Sequence, residues 1–145
     1  TEAVTVACDD IYTSGDGRNF IDVLGKGAKT RQVPISNRLA ELIDEWCERI
    51  DGGLLARSIT KGGTIGEKMS PTAVRKLVKR YGRLIRVPDL SPHDLRRSYA
   101  RIGYDAGIDV GQISLLLGHA DIKTTQLYLG LNINEETTVS DFVPL

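Results

Sequence analysis

The sequence predicts an α+β fold, a mainly helical domain with a small antiparallel three-stranded sheet near its N-terminus. Two patterns and a length carry that expectation. Between Asp10 and Ser36, apolar and polar residues alternate in short runs separated by glycine turns, the period of half-buried strands. From Ser36 to Leu129, runs at helical spacing each begin at a serine or an aspartate, and most stop at a glycine. The length of 145 residues fits one domain, and at that size a domain buries about 70% of its unfolded surface.

Taken in order, Thr1 to Ile11 has no initiating Met and no cap, and reads as the end of an element that starts upstream. Ser14-Gly15-Asp16-Gly17 is a turn, Phe20 to Leu24 alternates, and Gly25-Lys26-Gly27-Ala28-Lys29 is a second turn before Arg31 to Ile35. The glycines of that second hairpin tip permit positive φ, and its lysines project outward. Ser36 caps a helix whose apolar positions are Leu39, Leu42, Ile43, Trp46 and Ile50, stopped at Gly52-Gly53. Leu54 to Glu67 is a glycine-rich loop with a short extended piece. Ser70-Pro71 opens a second helix, with proline at its first position. Val74, Leu77, Val78, Tyr81 and Ile85 form its apolar stripe, and its other side carries Arg75, Lys79 and Arg83 flanked by Lys76 and Arg80. Ser91-Pro92 starts a third helix with Leu95, Tyr99, Ile102 and Ala106 as its buried stripe, stopped at Gly107. Asp109 caps a short helix closed by Gly118, and Asp121 caps the last, Ile122 to about Leu129. Residues 131–145 form a tail whose Val139, Phe142, Val143 and Leu145 argue for docking rather than disorder.

Composition narrows the class. No apolar run approaches the about 20 residues that a membrane span needs. Cys8 and Cys47 match no metal-ligand or redox spacing and are too few for a disulfide framework, so two reduced cysteines in a reducing interior are expected. Two histidines without cysteine or acidic partners at ligand spacing argue against a zinc site, and no metal is expected. The formal net charge is zero, with 19 basic and 19 acidic residues. It is unevenly spread: Lys68 to Arg101 carries a net +8, which leaves −8 on the remainder. That asymmetry suggests an anionic partner. No acidic residue interrupts the basic row between Lys68 and Arg86, so Arg75, Lys76, Lys79, Arg80 and Arg83 are candidate DNA contacts, with a solvated face as the bland alternative.

His93 and Arg96 stand one turn apart at a helix start, where an anion is favoured. A second histidine closes Leu116-Leu117-Gly118-His119, and Tyr128 ends Thr124-Thr125-Gln126-Leu127-Tyr128. Taken singly, each histidine is more commonly a cap or core residue. Of the other tyrosines, Tyr81 and Tyr99 fall on apolar stripes and are expected in the core, while Tyr12 and Tyr104 have no matching context.

In this combination the chain resembles the catalytic domain of the tyrosine recombinases, the phage integrase family. His93-Asp94-Leu95-Arg96 matches the family's H-x-L-R box, Leu116 to His119 its L-L-G-H segment, and Thr124 to Tyr128 its T-T-Q-x-Y nucleophile segment. Gly25 to Pro34 matches the hairpin G-K-G-x-K-x-R-x-V-P. Two departures stand out. The family's first-box arginine would lie two positions before Thr1, and Leu129-Gly130 replaces a histidine often found after the nucleophile.

The resemblance implies a catalytic domain at 1–130, a tail at 131–145 that docks on a neighbouring protomer, and DNA recombination or integration by breaking and rejoining strands without a cofactor. It assigns Tyr128 as nucleophile, Arg96 as phosphate clamp, His93 as proton acceptor or phosphate donor, His119 as a hydrogen-bond partner of the scissile phosphate, and Lys26 as general acid, with Lys29 as the alternative at the hairpin tip. A phenol is a poor nucleophile at neutral pH, with an ordinary pKa near ~10, so it depends on cations that neutralise the phosphodiester. The implied partners are double-stranded DNA and further copies of the chain, four on paired sites, in a prokaryotic cytoplasm at the nucleoid or on a phage or mobile element. A type IB topoisomerase-like enzyme and a catalytically inactive DNA-binding module remain as alternatives, and the fragment is expected to be inactive without the upstream arginine.

Overall fold

The computed structural model describes residues 2–25 and 27–131. Lys26 and the tail from residue 132 onward, both singled out above, lie outside the described residues. The architecture is α+β, as the sequence predicts: three strands, β1 (Ile11–Thr13), β2 (Asn19–Leu24) and β3 (Thr30–Ile35), then five helices, α1 (Asn37–Ile50), α2 (Pro71–Leu84), α3 (Pro92–Asp105), α4 (Val110–Leu117) and α5 (Ile122–Leu129). By its contacts the chain divides after Leu95 into two compact units.

In the first unit the sheet is an antiparallel meander in the order β1-β2-β3, with Ile21 opposite both Ile11 and Val33. The second hairpin turns through Gly27 and Ala28, both at positive φ (78° and 58°). Gly25 sits in a tight place: a Cβ there would stand 3.3 Å from the Arg31 guanidinium and the Lys29 carbonyl and 3.4 Å from the Glu2 carboxylate. Those two residues form a bidentate pair at 3.1 and 2.9 Å, which ties the N-terminal segment to β3. Ser36 caps α1 by accepting from the Leu39 amide at 3.3 Å, and Ser70 caps α2 by accepting from Ala73 at 3.1 Å.

The cysteines correct the sequence reading: Cys8 and Cys47 form a disulfide, with Cα atoms 5.9 Å apart across a separation of 39 residues. The sheet returns the chain so that α1 runs beside the Cys8 turn. The backbone at Val6 to Cys8 pairs with the segment after α1, through Cys8 N–H to Gly53 O and Leu55 N–H to Val6 O, both 2.9 Å. Trp46 donates its indole N–H to the Leu55 carbonyl at 2.9 Å, so both sides of the same junction are held.

Helix α2 also departs from expectation. Tyr81 is 59% exposed, and Leu77 and Ile85 are exposed as well. The helix packs instead at Gly82, its buried residue, against the turn at Val87 and Leu90. Likewise Tyr99, Leu95 and Ile102 of α3 are exposed, not core. The core of the second unit is narrower than the apolar stripes suggest: Ala100, Ile113, Leu117 and Leu129, with Val110 and Leu131 packed against them. Among the described residues no helix is long and apolar enough to cross a membrane.

Candidate functional site

Helix ends build the candidate site. Helix α3 starts at Ser91, whose amide and hydroxyl both donate to Asp94 Oδ2, at 3.0 and 2.6 Å, while the Asp94 amide donates back to Ser91 Oγ. This reciprocal cap fixes the first turn, which carries His93, exposed, and Arg96, half-buried.

In the second unit, α4 is capped by Asp109, which accepts from the Gln112 amide at 3.1 Å. It ends at Gly118 in the left-handed conformation (φ 68°), with the Gly118 amide bonded to Leu115 O and the His119 amide to Ser114 O at 3.1 Å. That paired closure requires positive φ at its central residue, which glycine adopts without strain. It sets the position of the His119 backbone. The Arg96 guanidinium donates to the carbonyl of Leu117, one of the helix-end carbonyls with no partner inside α4.

Two residues after His119, Asp121 accepts from the Lys123 amide at 2.9 Å and starts α5. Thr125 is fully buried, and its hydroxyl lies 2.7 Å from His119 Nδ1. One turn on, the Tyr128 ring meets His119 edge to face, with centroids 5.1 Å apart and planes at 88°. The Arg97 guanidinium carbon lies 5.2 Å from the centroid of the same phenol ring, a cation–π contact. Helix α5 ends as α4 does, at a left-handed glycine, Gly130 (φ 66°).

Of the sequence-predicted residues, the structure thus joins Tyr128 with His119, and anchors Arg96 to the helix end just before His119. His93 lies on the same helix as Arg96, in the first unit, and Lys26 is outside the described residues. Lys29, the alternative, is exposed, and its carbonyl accepts from the Gly25 amide at 2.8 Å. Arg75, Lys76, Lys79, Arg80 and Arg83 are all exposed on α2, and none makes an ion pair among the described residues. Sequence reading missed Arg97, whose one signal is its place in the Arg96-Arg97 doublet, and Thr125, quoted within a motif but given no role. Among the described residues, no group of three or more His, Cys, Asp or Glu side chains is arranged to hold a metal ion.

Comparison with known proteins places the chain in a family. The model of the phage integrase family matches residues 1–135. The chain is 32% identical over 132 residues to the tyrosine recombinase XerD of Staphylococcus haemolyticus, covering 88% of this chain and 44% of that protein. It is 34% identical over 129 residues to XerC of Pseudomonas fluorescens, covering 84% and 41%. The chain therefore spans about two-fifths of the length of these curated relatives. Among solved structures, its fold is similar to XerH site-specific recombinase bound to difH substrate (TM-score 0.72, 22% identity, 93% of this chain and 39% of that one). It is also similar to XerA recombinase (TM-score 0.70, 20% identity, 90% and 47%).

Proposed function

Since the chain belongs to the phage integrase family, we propose that it carries the catalytic part of a site-specific DNA recombinase, cutting and rejoining duplex DNA through a 3′-phosphotyrosyl intermediate. The observation that carries this reading is the Tyr128 ring in contact with both His119 and Arg97, beside a helix end bound by Arg96. A tyrosine that attacks an anionic phosphodiester needs cations and hydrogen-bond donors around it, and this is the setting Tyr128 has.

In the proposed step, Tyr128 Oη bonds to phosphorus and gives up its proton, with His93 as acceptor. The bond from phosphorus to the 5′-oxygen breaks, and Lys26 delivers a proton to that oxygen. Arg96 holds phosphate oxygens in its planar fork, which stays charged throughout, and His119 donates to the phosphate. The covalent link conserves the bond energy, so the 5′-hydroxyl of a partner strand can reverse the step without nucleotide or metal. The basic face of α2 holds the duplex. Four copies on paired sites make up the working assembly, joined through residues 131–145, in a prokaryotic cytoplasm at the nucleoid. Deleting Val139 to Leu145 should weaken cooperative assembly on DNA, read by sedimentation.

The test of the chemistry is incubation of the protein, at its natural full length, with a nicked duplex that traps the cleaved state. A covalent protein–DNA adduct is expected, and Tyr128→Phe should abolish it. An adduct that persists in the variant refutes the assignment. DNA binding with no adduct from the wild-type protein would instead select an inactive DNA-binding module, a reading the self-contained basic face of α2 favours.

A further inference from the structure

We propose that Thr125 is a positioning residue for strand cleavage: its buried hydroxyl donates to Nδ1 of His119 and holds that imidazole in the tautomer with its proton on Nε2. The inference rests on the roles given above to Tyr128 and His119.

Thr125 has no exposed surface, so its hydroxyl hydrogen must find a protein acceptor. A threonine in a helix commonly donates to a carbonyl one turn back along its own helix. Thr125 does not: among the described residues its hydroxyl meets one polar atom, His119 Nδ1, at 2.7 Å. A hydroxyl can donate and accept at once, whereas a ring nitrogen of neutral histidine does one or the other. If Nδ1 carried the proton and donated to Oγ1, the hydroxyl hydrogen would be left, at a residue with no exposed surface, without an acceptor among the described residues. With Nδ1 bare, the hydroxyl donates to it and the buried hydrogen of Thr125 has its acceptor. The ring proton then belongs on Nε2.

That tautomer makes His119 a hydrogen-bond donor at its outer nitrogen. A donor there stabilises a phosphate oxygen as charge builds on it, while a bare nitrogen would set one lone pair against another. The restraint is two-sided: the His119 amide is bound to Ser114 O at 3.1 Å and its ring to Thr125. Thr125 is also three residues before Tyr128 on α5, so one short helix carries both the nucleophile and the group that orients its neighbour.

The test combines Thr125→Val, which keeps the branched shape and removes the hydroxyl, with Thr125→Ser, which keeps the hydroxyl. With two histidines in the chain, the ¹⁵N shifts of His119 are assigned by comparison with His93→Gln and read above the histidine titration. The wild type and the serine variant should show the Nε2–H tautomer, and the valine variant a mixture. Trapped-substrate cleavage should slow roughly tenfold in Thr125→Val, the scale of one hydrogen bond, and recover in Thr125→Ser. A wild-type Nδ1–H tautomer overturns the proposal without need of any variant. So does a valine variant with unchanged shifts, or one with unchanged cleavage. If the wild type forms no adduct at all, the role of Tyr128 falls and the positioning role with it, whereas normal wild-type cleavage beside an unaffected valine variant overturns only the Thr125 inference.

Discussion

The basic face of α2 supports a prediction that separates DNA contact from a merely solvated surface. At about 100° per residue, Arg75, Lys79, Arg83, Lys76 and Arg80 fall within an arc of about 140°, and Leu84, Leu77, Tyr81, Val74, Ile85 and Val78 fill an arc of about 120° opposite. The basic arc contains three like-charged i,i+4 pairs, Arg75 with Lys79, Lys79 with Arg83, and Lys76 with Arg80. Together they cost the helix roughly 1 kcal/mol, with no acidic residue on the helix to relieve it. If the five cations contact phosphates, binding should weaken with a slope of about −4.5 in log K against log salt. From 50 to 200 mM salt that amounts to a loss of roughly 500-fold. Replacing Arg75, Lys79 and Arg83 with alanine should reduce the slope to about −1.8, a loss of only ~12-fold over the same range. The same triple variant removes repulsion and adds strong helix formers, so its melting temperature should hold or rise. Fluorescence anisotropy on a labelled duplex reads the slope, and Arg38→Ala, a residue already paired with Glu41 at 3.2 Å, serves as the control that leaves it unchanged. A triple variant with the wild-type slope refutes the reasoning and leaves α2 as a solvated face.

Three further outcomes follow from the structure. Replacing Cys8 and Cys47 with serine frees a loop of 39 residues' separation, and loop entropy puts the loss of stability at about 4 kcal/mol; urea unfolding followed by fluorescence of Trp46, the one tryptophan, should show it, and identical midpoints would mean the crosslink is not formed in solution. Gly82→Ala should destabilise, by about 1–3 kcal/mol, despite alanine's better helix propensity, because a Cβ there would stand 2.5 Å from the Val87 carbonyl and 2.7 Å from the Leu90 Cβ; a raised melting temperature contradicts that packing. The Ser14 hydroxyl, with the Arg18 amide behind it, holds the Asp16 carboxyl below its ordinary value, so the turn gains stability that is present above pH 3.8 and lost as pH falls through the lower folded value; a carboxyl titration by NMR should place Asp16 low, and Ser14→Ala should raise it toward the usual range, the Arg18 amide still holding it down in part.

What was legible in the sequence was local. The caps at Ser36, Ser70, Asp109 and Asp121 each accept a backbone amide in the structure, and Gly107, Gly118 and Gly130 each lie just past a helix with positive φ. These features depend on a few adjacent residues and on backbone sterics, so spacing alone reveals them. Burial was less legible. The stripes through Tyr81 and Tyr99 were correctly placed on one face of each helix, but periodicity says which side is apolar and not what covers it. The Cys8–Cys47 pair was missed for a related reason: their meeting depends on the three-strand meander bringing α1 back beside the chain start, and no spacing rule encodes that return.

The same distinction explains why the motifs named Tyr128 and His119 but not how their side chains are held. Thr125 and Leu129 are both buried and one turn apart, so between them they fix the rotation of α5 about its axis. Tyr128, about 100° around the helix from Leu129, is thereby carried to the edge of the core, half-buried, where His119 and Arg97 meet it. For the proposed attack on a phosphate, a tyrosine pointing into the core would be out of reach, and one pointing fully outward would have no cation against its ring. The alternation of buried Thr125, edge Tyr128 and buried Leu129 meets both requirements with eight residues of helix. Arg97 enters from α3 and His119 from the closure of α4, so the surroundings of Tyr128 are assembled by three helix segments whose contacts arise only on folding.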